Sequence, residues 1–164
     1  MSERILKALM QLFAIVAKVN LNDDEIRADQ SSRLIVKLFL QQDLPSELID
    51  KYLKIFDEFI KERHSSTRKK DGTRKRTSVN SVKVLRICTQ INEELEQRQK
   101  VIVLIRILEF IFADPEHSEK ELEFAATVAD TFNIESKEYE EIFHFVESGS
   151  KKIFEQENQL IICS

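Results

Sequence analysis

A chain of 164 residues with 42% hydrophobic content and eleven Phe can bury one real core. Two Gly and two Pro exclude a sandwich or barrel full of tight turns and point to long helices with short connections. A net charge of -4 and a pI of about 5.5 argue against a general nucleic-acid binder.

Ser2 is placed to cap a first helix, in which Ile5, Leu9, Leu12, Phe13 and Val16 recur at helical spacing. This apolar run, residues 5–19, carries Lys7 and Lys18 and leads to no small-residue cleavage site, so it is not a signal peptide and a cytoplasmic location is expected. Asn20-Leu21-Asn22 breaks it. Asn22 followed by Glu25 has the capping-box spacing, which predicts a second helix from there. Its first half is polar and expected in solvent; Leu34, Ile35, Leu38 and Phe39 form its expected buried face. Pro45 suits the first turn of a third helix, because its missing donor costs nothing there. Leu48, Ile49, Tyr52, Leu53, Phe56, Phe59 and Ile60 alternate with charged residues in the clearest amphipathic pattern of the chain, which fades at Arg63-His64.

Residues 65–81, SSTRKKDGTRKRTSVNS, have almost no apolar content and cluster Arg68, Lys69, Lys70, Arg74, Lys75 and Arg76 around Asp71-Gly72. Such a segment cannot bury enough surface to offset its ordering entropy, which predicts a basic mobile loop between two halves. A solvated linker is its plainest reading; contact with phosphate, an acidic lipid surface or an acidic partner is the sharper one. No aromatic residue is interleaved for base stacking, which puts nucleic acid third.

Val84, Cys88, Ile91 and Leu95 predict a fourth helix that ends in the charged stretch 96–100. Residues 101–113, VIVLIRILEFIFA, contain only Arg106 and Glu109 as polar residues. As a helix of about 20 Å they are too short to cross a bilayer comfortably and too apolar for a surface, so they should form a central helix beside the first. Proline ends it at Asp114-Pro115. Ser118 and Glu121 form a second capping-box pattern, Leu122, Ala125, Ala129 and Phe132 line the sixth helix, and Asn133 is a left-handed stop. Ser136 opens a seventh helix with Tyr139, Ile142, Phe143 and Val146 on one side, expected to end near Gly149.

The units repeat a plan: an apolar helix, a polar turn, a capped acidic helix, then a hydrophobe, one residue and a Ser (Leu44, Pro45, Ser46; Ile134, Glu135, Ser136) opening the next, about ninety residues apart. The expected fold is therefore an all-α bundle of about seven helices in two pseudo-repeated halves around two central apolar helices. Residues 1–149 would form this domain. In the tail 150–164, Leu160, Ile161, Ile162 and Cys163 make an apolar, β-prone run, expected to be the start of a following domain of a longer protein. Cys88 and Cys163 have no metal-like spacing and read as free thiols in a reducing compartment.

The apolar helix, the turn from Ala113 through Asp114, Pro115, Glu116, His117 and Ser118 to Glu121, and the small-residue helix ending at Phe132-Asn133-Ile134 resemble the TerB-like domain of tellurite-resistance and co-chaperone proteins. The resemblance covers residues 5–147 and implies an all-helical fold of two related halves whose acidic residues are metal ligands. On this chain those are Asp114 and Glu121, at the family's spacing of seven positions. Pro115 replaces the family's glycine, and Asn20-Leu21 stands where the first half should have Asp-Gly, so at most one divalent-cation site is implied. Residues 76–110, RTSVNSVKVLRICTQINEELEQRQKVIVLIRILEF, also resemble the amino-terminal region of large bacterial ABC-type ATP-binding proteins. That likeness implies a noncatalytic regulatory or protein-interaction module, with any ATPase activity in a downstream domain, since no Walker A loop occurs here. The implied partners are another protein or the later domains of the same polypeptide, with membrane association only through a complex.

Asp114, Glu116, His117 and Glu121 are the residues best suited to chemistry, as hard oxygen ligands and one imidazole for calcium or magnesium. Glu121 is equally accounted for by the capping box, and Glu116 and Glu119 by the positive helix amino terminus. His64, His117 and His144 have no Ser or Cys set for a triad, and no catalytic motif is present, so no catalytic residue is expected.

Overall fold

A computed structural model describes the backbone of residues 1–20, 27–68 and 76–162, and the side chains of residues 1–19, 27–63 and 82–150. Within them run α1 (Glu3–Val16), β1 (Val19–Asn20), β2 (Arg27–Ala28), α2 (Gln30–Gln41), α3 (Ser46–Arg68), α4 (Arg76–Glu94), α5 (Gln97–Phe112), α6 (Glu119–Thr131) and α7 (Ser136–Ile162). The fold is an all-α bundle, and no helix among the described residues is long and apolar enough to cross a membrane.

The two apolar helices lie at the centre as expected. Ser2 accepts the Ile5 N–H and starts α1, whose Ile5, Leu9, Met10, Leu12 and Phe13 are fully enclosed. Leu104, Ile107, Leu108 and Ile111 of α5 are equally enclosed. Phe13 holds the halves together: its ring meets Phe39 of α2 edge-on at 5.1 Å and Phe110 of α5 at 5.5 Å. Each such ring or Leu/Ile side chain removed from water contributes about 1.5–3 kcal/mol, so this double row is the main source of cohesion.

Contacts at the helix ends set the directions. Lys51 of α3 meets Glu3 at 3.3 Å, and Arg63, three turns on, reaches the last turn of α1, so α1 and α3 run parallel. Ser2 and Arg4 meet Glu94 and Glu93, which makes α4 antiparallel to α1. Within each half the apolar helix packs on the last helix of that half, α1 on α3 and α5 on α7, while α2 crosses to touch α5. Asn92 donates to the Thr131 carbonyl at 2.7 Å and Gln97 to that of Phe132 at 3.2 Å, which pins the end of α6 to the α4–α5 corner.

Several expectations are corrected. α2 begins at Gln30 rather than near Asn22. The Asp29 N–H donates to the Lys18 carbonyl, the Lys18 N–H donates to buried Ser32, and Val19–Asn20 pairs antiparallel with Arg27–Ala28. The chain is thus tied to the end of α1 before the helix starts, and Asp29 is the cap, accepting the Ser32 N–H at 2.8 Å. The Asn22–Glu25 pair lies outside the described residues. The buried face of α2 is Ser32, Val36, Phe39 and Leu40; Leu34 and Leu38 face outward, because α2 wedges against both α3 and α5. α3 does not fade at Arg63-His64 but continues to Arg68, and α4 starts at Arg76, so the backbone of 65–68 and 76–81 is helical where a loop was expected. The charged stretch 96–100 opens α5: Glu96 is its cap, in a reciprocal box with Gln99, and Lys100 is buried. α7 passes Gly149 without interruption and runs to Ile162, so the tail up to there is helical and not a strand.

Candidate interaction surfaces and the acidic turn

The turn after α5 is built from its own carboxylates. Ala113 ends the helix by donating to the Glu109 carbonyl, and Asp114 Oδ1 accepts the Glu116 N–H at 2.9 Å. Lys18 Nζ, just beyond α1, stands 3.6 Å from the same oxygen, so residues following the two central helices face each other across the bundle axis. His117 Nδ1 lies 3.0 Å from the Asp114 carbonyl oxygen, and its ring meets Phe112 edge-on at 5.2 Å. Glu121 Oε2 accepts the Ser118 N–H at 2.7 Å, while Ser118 Oγ accepts the Glu121 N–H at 3.4 Å. This is the predicted capping box. Asp114 lies in the turn and Glu121 in the first turn of α6, and each carboxylate accepts from a backbone donor of its own segment. Among the described residues no group of three or more His, Cys, Asp or Glu side chains could hold a metal ion.

Beside this turn is a residue that periodicity does not single out. Arg63 Nη1 donates to the carbonyls of Ala14 at 2.9 Å and Ala17 at 3.2 Å, supplying donors to the open end of α1. Desolvation draws its guanidinium below the usual range, while the Glu121 carboxylate works in the opposite direction. One side chain thus joins α3, the end of α1 and the field of the acidic turn. The only signal in the sequence is a cation on the last turn of the strongest amphipathic pattern.

Of the predicted basic residues, Arg68 is the last residue of α3 and Arg76 the first of α4; Lys69, Lys70, Arg74 and Lys75 lie outside the described residues. Cys88 is a free, fully enclosed thiol whose pKa burial pushes up to about 12, which holds it neutral and unfit as a nucleophile. His144 is exposed, with its ring set edge-on to Phe143.

Several large hydrophobes among the described residues are exposed. Leu34 and Leu38, one turn apart on α2, are 55% and 46% exposed. Val82 and Leu85 are exposed on α4, and Phe145 on α7 is 76% exposed. Phe143, two residues earlier, is engaged with Phe112 and Tyr139, so α7 turns one aromatic inward and the other outward. No protein-family model, curated protein or solved structure matches the chain.

Proposed function

We propose that this chain is a noncatalytic interaction module that regulates a larger ABC-type ATP-binding protein, in which the nucleotide chemistry belongs to later domains. Residues 76–110 carry the resemblance behind the second part of that reading. The first part is carried by Leu34 and Leu38, two exposed leucines in register on a helix whose opposite side is fully committed to the core. Exposed apolar pairs on a rigid helix are suited to burial against a protein partner.

The test has two steps. The reading frame beyond Ser164 should continue into a phosphate-binding loop; a frame that stops, or continues without one, overturns the ABC-type assignment. In the full polypeptide, Leu34→Asp with Leu38→Asp should change ATP turnover while the helical content of the module stays constant. Unchanged turnover would overturn the regulatory role.

A further inference from the structure

The chain leaving α1 has little regular structure of its own. The β1–β2 ladder consists of two residue pairs, Val19 with Ala28 and Asn20 with Arg27, which is too short to be stable by itself. The first turn of α2 leans on the same point through Lys18. The Lys18 carbonyl accepts the Asp29 N–H at 2.9 Å, and its N–H donates to Ser32 Oγ at 3.2 Å, while Asp29 caps the helix by accepting the Ser32 N–H. The position of Lys18 therefore decides where α2 begins.

Arg63 secures the chain as far as Ala17, by donating to the Ala14 and Ala17 carbonyls. The next residue is tied to the other half of the bundle. Lys18 Nζ stands 3.6 Å from Asp114 Oδ1, in the turn that follows α5. That carboxylate is itself fixed, because the same oxygen accepts the Glu116 N–H at 2.9 Å. One residue thus joins the start of α2 through its main chain to the α5–α6 turn through its side chain. The Asp114 side chain is 24% exposed and that of Lys18 57%, so the pair is partly screened and salt can reach it.

We propose that the turn between α5 and α6 is an electrostatic latch on the chain leaving α1: Asp114, acting through Lys18, holds the β1–β2 ladder and the first turn of α2 in place. The Asp114 carboxylate then serves an internal ammonium, and a divalent cation at this turn competes with Lys18 for it. α2 carries Leu34 and Leu38, so the latch also steadies that surface. It does not depend on what binds there, nor on the ABC-type reading.

Amide hydrogen exchange, followed residue by residue by nuclear magnetic resonance, tests it. Lys18→Met and Asp114→Asn each remove one charge, and the asparagine oxygen can still accept the Glu116 N–H, so the turn keeps its own hydrogen bond. In both variants Asp29 and Ser32 should exchange about two- to fivefold faster than in the wild type, the range for a partly exposed ion pair. The double variant should exchange no faster than either single one, since both break the same contact. Residues 84–91 of α4 should be unchanged, which separates loss of the latch from general destabilisation. Glu116→Gln, which removes a carboxylate from the same turn, should leave Asp29 and Ser32 as they are. At about 1 M salt, where the screening length is about 3 Å, the wild type should exchange like Lys18→Met. Exchange at Asp29 and Ser32 that neither substitution alters overturns the proposal. So do additive effects of the two, an equal effect of Glu116→Gln, or acceleration shared by residues 84–91. Calcium or magnesium that slows exchange at Asp29 and Ser32 in the wild type but not in Asp114→Asn would assign the turn to a divalent cation, and also overturns it.

Discussion

Arg63 shows how much one side chain can decide. Its guanidinium serves two carbonyls at the end of α1 from a position on α3, so its removal leaves acceptors short of donors at a half-buried helix end. Arg63→Ala should cost about 2 kcal/mol in urea denaturation, in the range for hydrogen bonds from a charged donor, and Arg63→Lys should recover only part because it lacks the planar fork. Cys88 gives a pH signature. Its thiol ionises at 9.0 when unperturbed and at about 12 in the fold, so above pH 9 the unfolded chain releases a proton that the folded chain retains. Stability should then fall with rising pH, by about 1.4 kcal/mol per unit from this group until the folded thiol itself ionises. Comparing wild type with Cys88→Ala between pH 8 and pH 10 isolates the effect: the difference between their slopes, not between their absolute stabilities, carries it.

At the scale of elements, α7 and α2 depart furthest from their sequence patterns. Gly149 suggested a stop, yet the helix passes it, and a Cβ built there meets nothing within 4 Å. A helical glycine with free space gives up backbone entropy and gains no packing. Gly149→Ala should therefore stabilise the protein by about 0.5–1 kcal/mol in thermal melts, with a small gain in helicity. If α7 ended at Gly149, the same substitution would be neutral or harmful. α2 makes the opposite point, since its pattern of hydrophobes does not match its buried face. Leu34→Ser and Leu38→Ser should each change stability by no more than about 0.5 kcal/mol, whereas Phe39→Ala, which empties a site against Phe13, should cost about 3–5 kcal/mol.

At the scale of the molecule, the halves share a core and do not form separate ones. Phe13 belongs to the first half and touches Phe110 of the second, α2 packs on α5, and Lys18 meets Asp114 at the turn. Unfolding should therefore be a single transition. In a Cys163→Ser background, the denaturant midpoint from thiol labelling of Cys88, on α4, should coincide with that from far-ultraviolet circular dichroism. Two separated midpoints would show that the halves fold independently.

Local signals were sufficient wherever the physics is local. The caps at Ser2 and Ser118–Glu121, the left-handed Asn133 at φ 56°, the central helices and the buried Val84–Cys88–Ile91–Leu95 stripe all follow from helical period, hydroxyl or carboxylate capping and residue size, which neighbours in sequence determine. What only the tertiary structure decided depends on contacts far apart in the chain. The start of α2 is set by Lys18, the side of α2 that is buried is set by where α3 and α5 lie, Arg63 acquires its role from the end of a helix nearly fifty residues earlier, and Phe145 faces outward because Phe143 took the place against Phe112. Periodicity tells which residues share a face. It does not tell which face another helix will cover, because that is fixed by packing between elements that the sequence lists separately.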